Sequence, residues 1–150
     1  MGEDKGRMGL TQQEQAEELV EAFSFFEEWE DRYGYLIDLG RELPPMPESD
    51  KTEATRIQGC QSMVWLKAQE TFAAEELRFV FLADSDSAIV KGLVAILWRV
   101  FSGYRPQEVL AFNVEALLKQ LSLEEHLSMN RRNGLFSMIQ RIRTLATEMI

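Results

Sequence analysis

"EELRFVFLADSDSAIVKGLVAILWRVF", residues 75–101, changes its hydrophobic period partway along, and that change decides the fold class. In the first part Leu77, Phe79 and Phe81 alternate with Arg78 and Val80, the period of two expected of a half-buried strand. From Ser85 onward Ile89, Leu93, Ile96, Leu97 and Val100 recur at helical spacing and form a wide apolar stripe. Ser85, Asp86 and Ser87 are the candidate N-caps of that helix. A strand that runs straight into a strong helix predicts an α+β domain.

Upstream, "TRIQG" (55–59) and "SMVWLKAQ" (62–69) have β character around Val64 and Trp65. With 75–86 they predict a small three-stranded antiparallel sheet flanked by helices. Thr11 is a good N-cap, with Glu14 at the capping-box position. Ala16, Leu19, Val20, Phe23, Phe26 and Trp29 then read as one amphipathic helix over 12–32. Gly34 permits a break before a shorter helical piece at 35–43, and "PPMPESD" (44–50) must be a loop. Downstream, Pro106 can open a short helix, and Asn113 and Ser122 are candidate caps for helices at 113–121 and 122–127. A last helix from about 130 to 148 buries Leu135, Met138, Ile139, Ile142 and Leu145. Residues 1–10 read as a disordered leader and 11–150 as one domain.

The charge balance restricts the function. The chain of 150 residues has a net charge of −9, and residues 1–50 alone carry fourteen acidic and four basic side chains. Clustered Lys and Arg, which a phosphate backbone requires, are missing, so nucleic acid is not expected. No apolar run approaches the ~18 residues of a membrane span. The first ten residues have no apolar core, so they do not read as a signal peptide. With one cysteine, a reducing, cytoplasmic compartment is expected.

That cysteine, Cys60, stands in "RIQGCQSMVWL" (56–66). Gly59 lets the backbone turn sharply before it, and Gln61 and Ser62 follow. A reactive thiol on a strand connection and a small buried core residue are both compatible with this placement. Alone, the thiol can form neither an intrachain disulfide nor a structural zinc site. His126 is the only histidine. It reads either as a helix-end side chain or, with Glu124 or Glu125 orienting it, as the base of a Cys–His hydrolase. Asp84 and Asp86 in "ADSDS" can cap a helix N-terminus, bind a cation or serve acid–base chemistry. Arg131 and Arg132 open the last helix, where cations oppose the dipole, and so call for another explanation.

Three blocks in register carry a resemblance: "GCQSMVWL" (59–66), "DSDSAIVKGLVAIL" (84–97) and "LEEHLSMNRRNGLFSMIQRIR" (123–143). Together they resemble the SufE family of cysteine desulfuration proteins, which includes the CsdE branch, over about residues 15–148. The resemblance implies a compact SufE/IscU-like α+β fold. It implies a partner, a PLP-dependent cysteine desulfurase of the SufS type, whose persulfide sulfur is taken up on Cys60. A downstream iron–sulfur scaffold or other sulfur acceptor would then receive it. Such a protein is an accessory that stimulates the desulfurase, holds no cofactor of its own, and is a monomer or weak homodimer. The matching motif positions are Gly59, Gln61, Ser62, Asp84, Asp86, Lys91 and Arg131. Met63 and Met129 depart from the usual glutamine and proline of the family, and neither removes a reacting group. An iron–sulfur scaffold is the further alternative, and one Cys with one His supplies few ligands for it.

Overall fold

A computed structural model describes residues 9–73 and 75–150. In order it contains helices α1 (Gln12–Phe25) and α2 (Trp29–Arg41), a single 3-10 turn at Glu48–Asp50 and strands β1 (Val64–Ala73) and β2 (Glu76–Ser85). Helices α3 (Ala88–Phe101), α4 (Pro106–Ala111), α5 (Val114–Gln120), α6 (Leu123–His126) and α7 (Met129–Glu148) follow. The α+β class is as expected. The leader at 1–10 lies outside the described residues as far as residue 8; the Leu10 carbonyl already accepts a hydrogen bond from the Tyr104 hydroxyl (2.7 Å). Among the described residues, no helix is long and apolar enough to cross a membrane.

The sheet has two strands, not three. β1 and β2 pair antiparallel from Val64↔Ser85 to Ala73↔Glu76. The stretch expected as a further strand, 55–59, contributes only a bridge, Arg56↔Trp65. Its backbone makes two ladder-type bonds, Ile57 N–H to the Val64 carbonyl and Leu66 N–H to the Thr55 carbonyl, both 2.8 Å. Pairing stops on both sides for local reasons. Thr55 closes a turn onto Thr52 through its N–H (3.2 Å) and onto the Asp50 carbonyl through its hydroxyl (2.6 Å). On the other side Gly59 takes φ +87°, which a strand cannot accommodate.

The alternation in 75–86 is real: Phe79, Phe81 and Ala83 are buried on one face. They pack beneath α3, which buries Val90, Gly92, Leu93, Val94, Ala95, Ile96, Leu97, Val100 and Phe101 and is therefore the centre of the core. Ser87, of the three candidates, caps α3 by accepting from Val90 N–H. Helix α2 crosses α3 at closest range. A Cβ on Gly92 would stand 2.2 Å from the Leu36 carbonyl oxygen, and one on Gly40 would stand 3.0 Å from the Gly92 nitrogen. Backbones can approach this closely only where side chains are missing.

Three local expectations change. The first helix ends at Phe25 rather than near residue 32, and Gly34 lies inside α2 instead of breaking it. A glycine lowers helix stability by only about 0.5–1 kcal/mol and does not force a break. The corner forms where the Phe26 carbonyl, freed from the helix, accepts from Arg32 Nε (2.8 Å). The turn lets Phe23 and Phe26 both meet the Tyr35 ring, at 5.6 and 5.7 Å. Ser122 does not cap α6; it sits in the left-handed region (φ 56°) with no side-chain cap bond. The Thr11–Glu14 capping box, Pro106 at the start of α4 and Asn113 as the cap of α5 are all present.

Candidate functional site

Cys60 lies on the connection between the Arg56 bridge and β1, and its loop rests against the first half of α7. Its Sγ stands 3.6 Å from the Gly134 carbonyl oxygen, to which the thiol donates. Gly134 explains the fit, because a Cβ there would stand 3.2 Å from Sγ. Gly59 explains the turn, because its φ of +87° disfavours any L side chain and a Cβ there would press to 2.8 Å on Ser137 Oγ. Two glycines, one in the loop and one in the facing helix, thus shape the seat of one sulfur. Cys60 is half-buried, so the two readings left open by the sequence meet in the middle.

The loop has two further attachments. Met63 N–H donates to Asp86 Oδ1 (3.0 Å), which ties the loop's end to the start of α3. Asn130 Nδ2 donates to Gln61 Oε1 (3.0 Å), which ties the loop's crown to the first turn of α7. Beside the thiol is a cavity of about 300 Å³, lined by Gln61, Ser62, Ser128 and Asn130 on its polar side and by Val90, Leu93 and Met138 on its apolar side. Arg131 also lines it. Its guanidinium makes no hydrogen bond or ion pair among the described residues, while its backbone N–H donates to the Ser128 cap. Burial pushes the Cys60 thiol above the ordinary thiol range, so the seated sulfur is protonated at neutral pH.

Asp84 and Asp86 diverge. Neither caps α3, a role taken by Ser87. Asp84 holds two ammonium groups, Lys51 at 2.7 Å and Lys91 at 3.3 Å, and accepts from Ser85 N–H at 2.8 Å. Burial pushes its carboxyl up, but these partners outweigh that and hold it below its usual value. Lys51 in turn is raised, first by Asp84 and then by Glu48, and lies over the Trp65 ring at 5.3 Å. This cluster ties the 44–56 connection to the sheet, and Lys91 belongs to it rather than to the cavity. Among the described residues, no group of three or more His, Cys, Asp or Glu is arranged to hold a metal ion.

His126 is not among the residues that line the cavity. Its ring stacks on Trp29 with centroids 3.7 Å apart, its Nδ1 faces the Ser122 carbonyl (3.0 Å), and its own carbonyl accepts from the Tyr33 hydroxyl. It joins α6 to α2. Of the residues singled out from sequence, the structure brings together Cys60, Gln61, Ser62 and Arg131 at one cavity, with Gly59 and Asp86 shaping its loop. Ser137 and Lys51 had not been singled out, and Asn130 and Gly134 belonged to the candidate stretch around Arg131 and Arg132 without a role of their own. Gly134 had a signal, a glycine inside an otherwise regular helical period; the others had none that separates them from ordinary surface polar residues.

The molecule is thus a mixed α+β protein that carries one half-buried thiol on a short loop over a helix. A family model for SufE, described as an Fe-S metabolism associated domain, matches residues 17–146. An uncharacterised SufE-like protein of Rhizobium meliloti (strain 1021) is 45% identical over 130 residues, covering 87% of this chain and 93% of its own. One from Rhizobium etli is 39% identical over 127 residues, covering 85% and 86%. The solution structure of a hypothetical protein from Thermus thermophilus superposes with a TM-score of 0.69 over 89% of this chain and 94% of its own. At 20% identity that likeness speaks for the fold alone. The chain belongs to the SufE family.

Proposed function

We propose that the protein accepts sulfane sulfur on Cys60 from a PLP-dependent cysteine desulfurase of the SufS type and passes it toward iron–sulfur cluster assembly. The observation that carries this reading is the seat of Cys60: a lone thiol on a short, glycine-hinged loop at the edge of a cavity. The Cys60 thiolate attacks the outer sulfur of the desulfurase's persulfide. A new S–S bond forms at Cys60, the old one breaks, and the desulfurase cysteine leaves as its thiolate. The chain has one cysteine, so no second thiol of its own can discharge the product as a disulfide.

Seated, the thiol is protonated and a poor nucleophile. Swung outward to meet a donor it is hydrated, its pKa returns toward about 8.5 and its thiolate fraction rises. Gln61, Ser62 and Arg131 are the groups placed to meet an incoming partner, and Gly59 and Asp86 those that support the loop. None of the residues lining the cavity is a histidine or a carboxylate that could serve as a base, so the Cys60/His126 hydrolase is not favoured.

Intact-mass measurement after incubation with a cysteine desulfurase and free cysteine tests the proposal. A gain of one sulfur atom, removed by reduction and absent in Cys60→Ser, is expected. An unmodified wild-type mass under conditions where the desulfurase itself carries persulfide would overturn it. Arg131→Ala is expected to lower sulfur acceptance with little change in melting temperature; loss of the folded state instead would return Arg131 to a structural role.

A further inference from the structure

The three attachments of the Cys60 loop are not equivalent. The thiol contact to Gly134 is partly buried, and the contact between Met63 and Asp86 is exposed but doubled, Met63 N–H to Asp86 Oδ1 and Asp86 N–H to the Met63 carbonyl; each uses backbone groups. The contact between Asn130 and Gln61 joins two exposed side chains across 69 positions of sequence, at the rim of the cavity. It can therefore be broken from outside without disturbing any backbone bond of the loop or of α7. Asn130 is also next to Arg131, whose guanidinium is free among the described residues and lines the same rim. A group that approaches Arg131 arrives beside the Asn130–Gln61 bond.

We propose that Asn130 is a positioning residue, and that its hydrogen bond to Gln61 is the external latch that keeps the Cys60 loop seated. Its importance for sulfur transfer rests on the function proposed above, but the latch itself is a property of the free protein. Opening then begins with one exchange: the two amides give up each other for water or for a docking surface, after which the thiol leaves the Gly134 carbonyl and the loop pivots about Gly59. Asn130 is well suited to testing. It lies in the first turn of α7, exposed, while Ser128 supplies the cap, so truncating it leaves the helix start intact.

The test is the rate of Cys60 labelling by iodoacetamide in the free, full-length protein. Asn130→Ala and Gln61→Ala should each label about fivefold faster, the change expected on losing one neutral hydrogen bond from the closed state. Because the two side chains form one contact, the double variant should label no faster than either single. Asn130→Asp, which can accept from a turned Gln61 amide, should stay near the wild-type rate. Singles at the wild-type rate, or single effects that multiply in the double variant, would each overturn the latch. If Asn130→Ala proves unstable, Gln61→Ala and Asn130→Asp decide the matter alone. The two proposals fail separately: flat labelling ratios with normal sulfur uptake sink the latch only, whereas accelerated labelling with no sulfur uptake sinks the carrier function only.

Discussion

At the level of single residues the site depends on two methyl groups that are not there. Gly134 sits within α7, where alanine would ordinarily add about 1 kcal/mol of helix stability. Its Cβ would, however, come within 3.2 Å of the Cys60 sulfur. Gly134→Ala is therefore expected to leave overall stability within about 1 kcal/mol of wild type while unseating the thiol. A thermal melt and a labelling rate measured side by side check this: a faster Cys60 with an unchanged melt is the expected pair. The sequence made Cys60 legible as a residue of interest and left its burial open. That is the usual limit for a thiol, because its exposure depends on what α7, some seventy residues later, places against it.

Secondary elements show a different balance of local and distant causes. The caps at Thr11, Ser87 and Asn113 were readable because a cap is a contact within four residues. The strand–helix switch at 75–101 was readable because hydrophobic period is also local. The corner between α1 and α2 was not, since it is fixed by Phe23 and Phe26 meeting Tyr35, aromatic contacts made only once both helices exist. The third strand failed for a related reason: β character around residue 56 was present, but a turn on one side and Gly59 on the other left room for one bridge. The α2–α3 crossing offers a sharp test at this scale. Gly92→Ala puts a Cβ 2.2 Å from a backbone oxygen that cannot rotate away. It should cost about 3 kcal/mol or more, read as a lower urea midpoint at unchanged slope. A midpoint within experimental error of wild type would mean the two helices slide apart freely.

For the molecule as a whole, titration sets a window of stability with named groups at each edge. Asp84, half-buried, where the effect of burial is outweighed by Lys51, Ser85 and Lys91, and Glu115, held down chiefly by Arg143 at 2.7 and 2.8 Å, both have carboxyl groups below their usual values. Below about pH 4 the unfolded chain binds protons that the folded chain refuses, so their contribution, complete above about pH 5, is lost as pH falls. Cys60 has the opposite sign. Its thiol is raised by burial, so its contribution is present below about pH 8.5 and is lost as pH rises through the folded value. Melting temperatures across pH should therefore fall at both ends, with Asp84→Asn flattening the acid limb and Cys60→Ser the alkaline one. A Cys60→Ser alkaline limb identical to wild type would place that loss elsewhere.

One backbone hydrogen bond has a mechanical meaning. The Ile57 N–H to Val64 carbonyl bond clamps the two ends of the Cys60 loop together, with residues 58–63 between them. A chain that leaves a clamp and must return to it spends half its length in each direction, so at ~3.4 Å per residue the crown travels roughly 10 Å at most. The loop is in effect a tether of fixed length. A donor sulfur recessed deeper than that is beyond the reach of Cys60 while the clamp holds. On the sulfur-acceptor function proposed above, a donor enzyme must bring its sulfur up to that depth, so the fit of its surface around the loop enters the choice of partner.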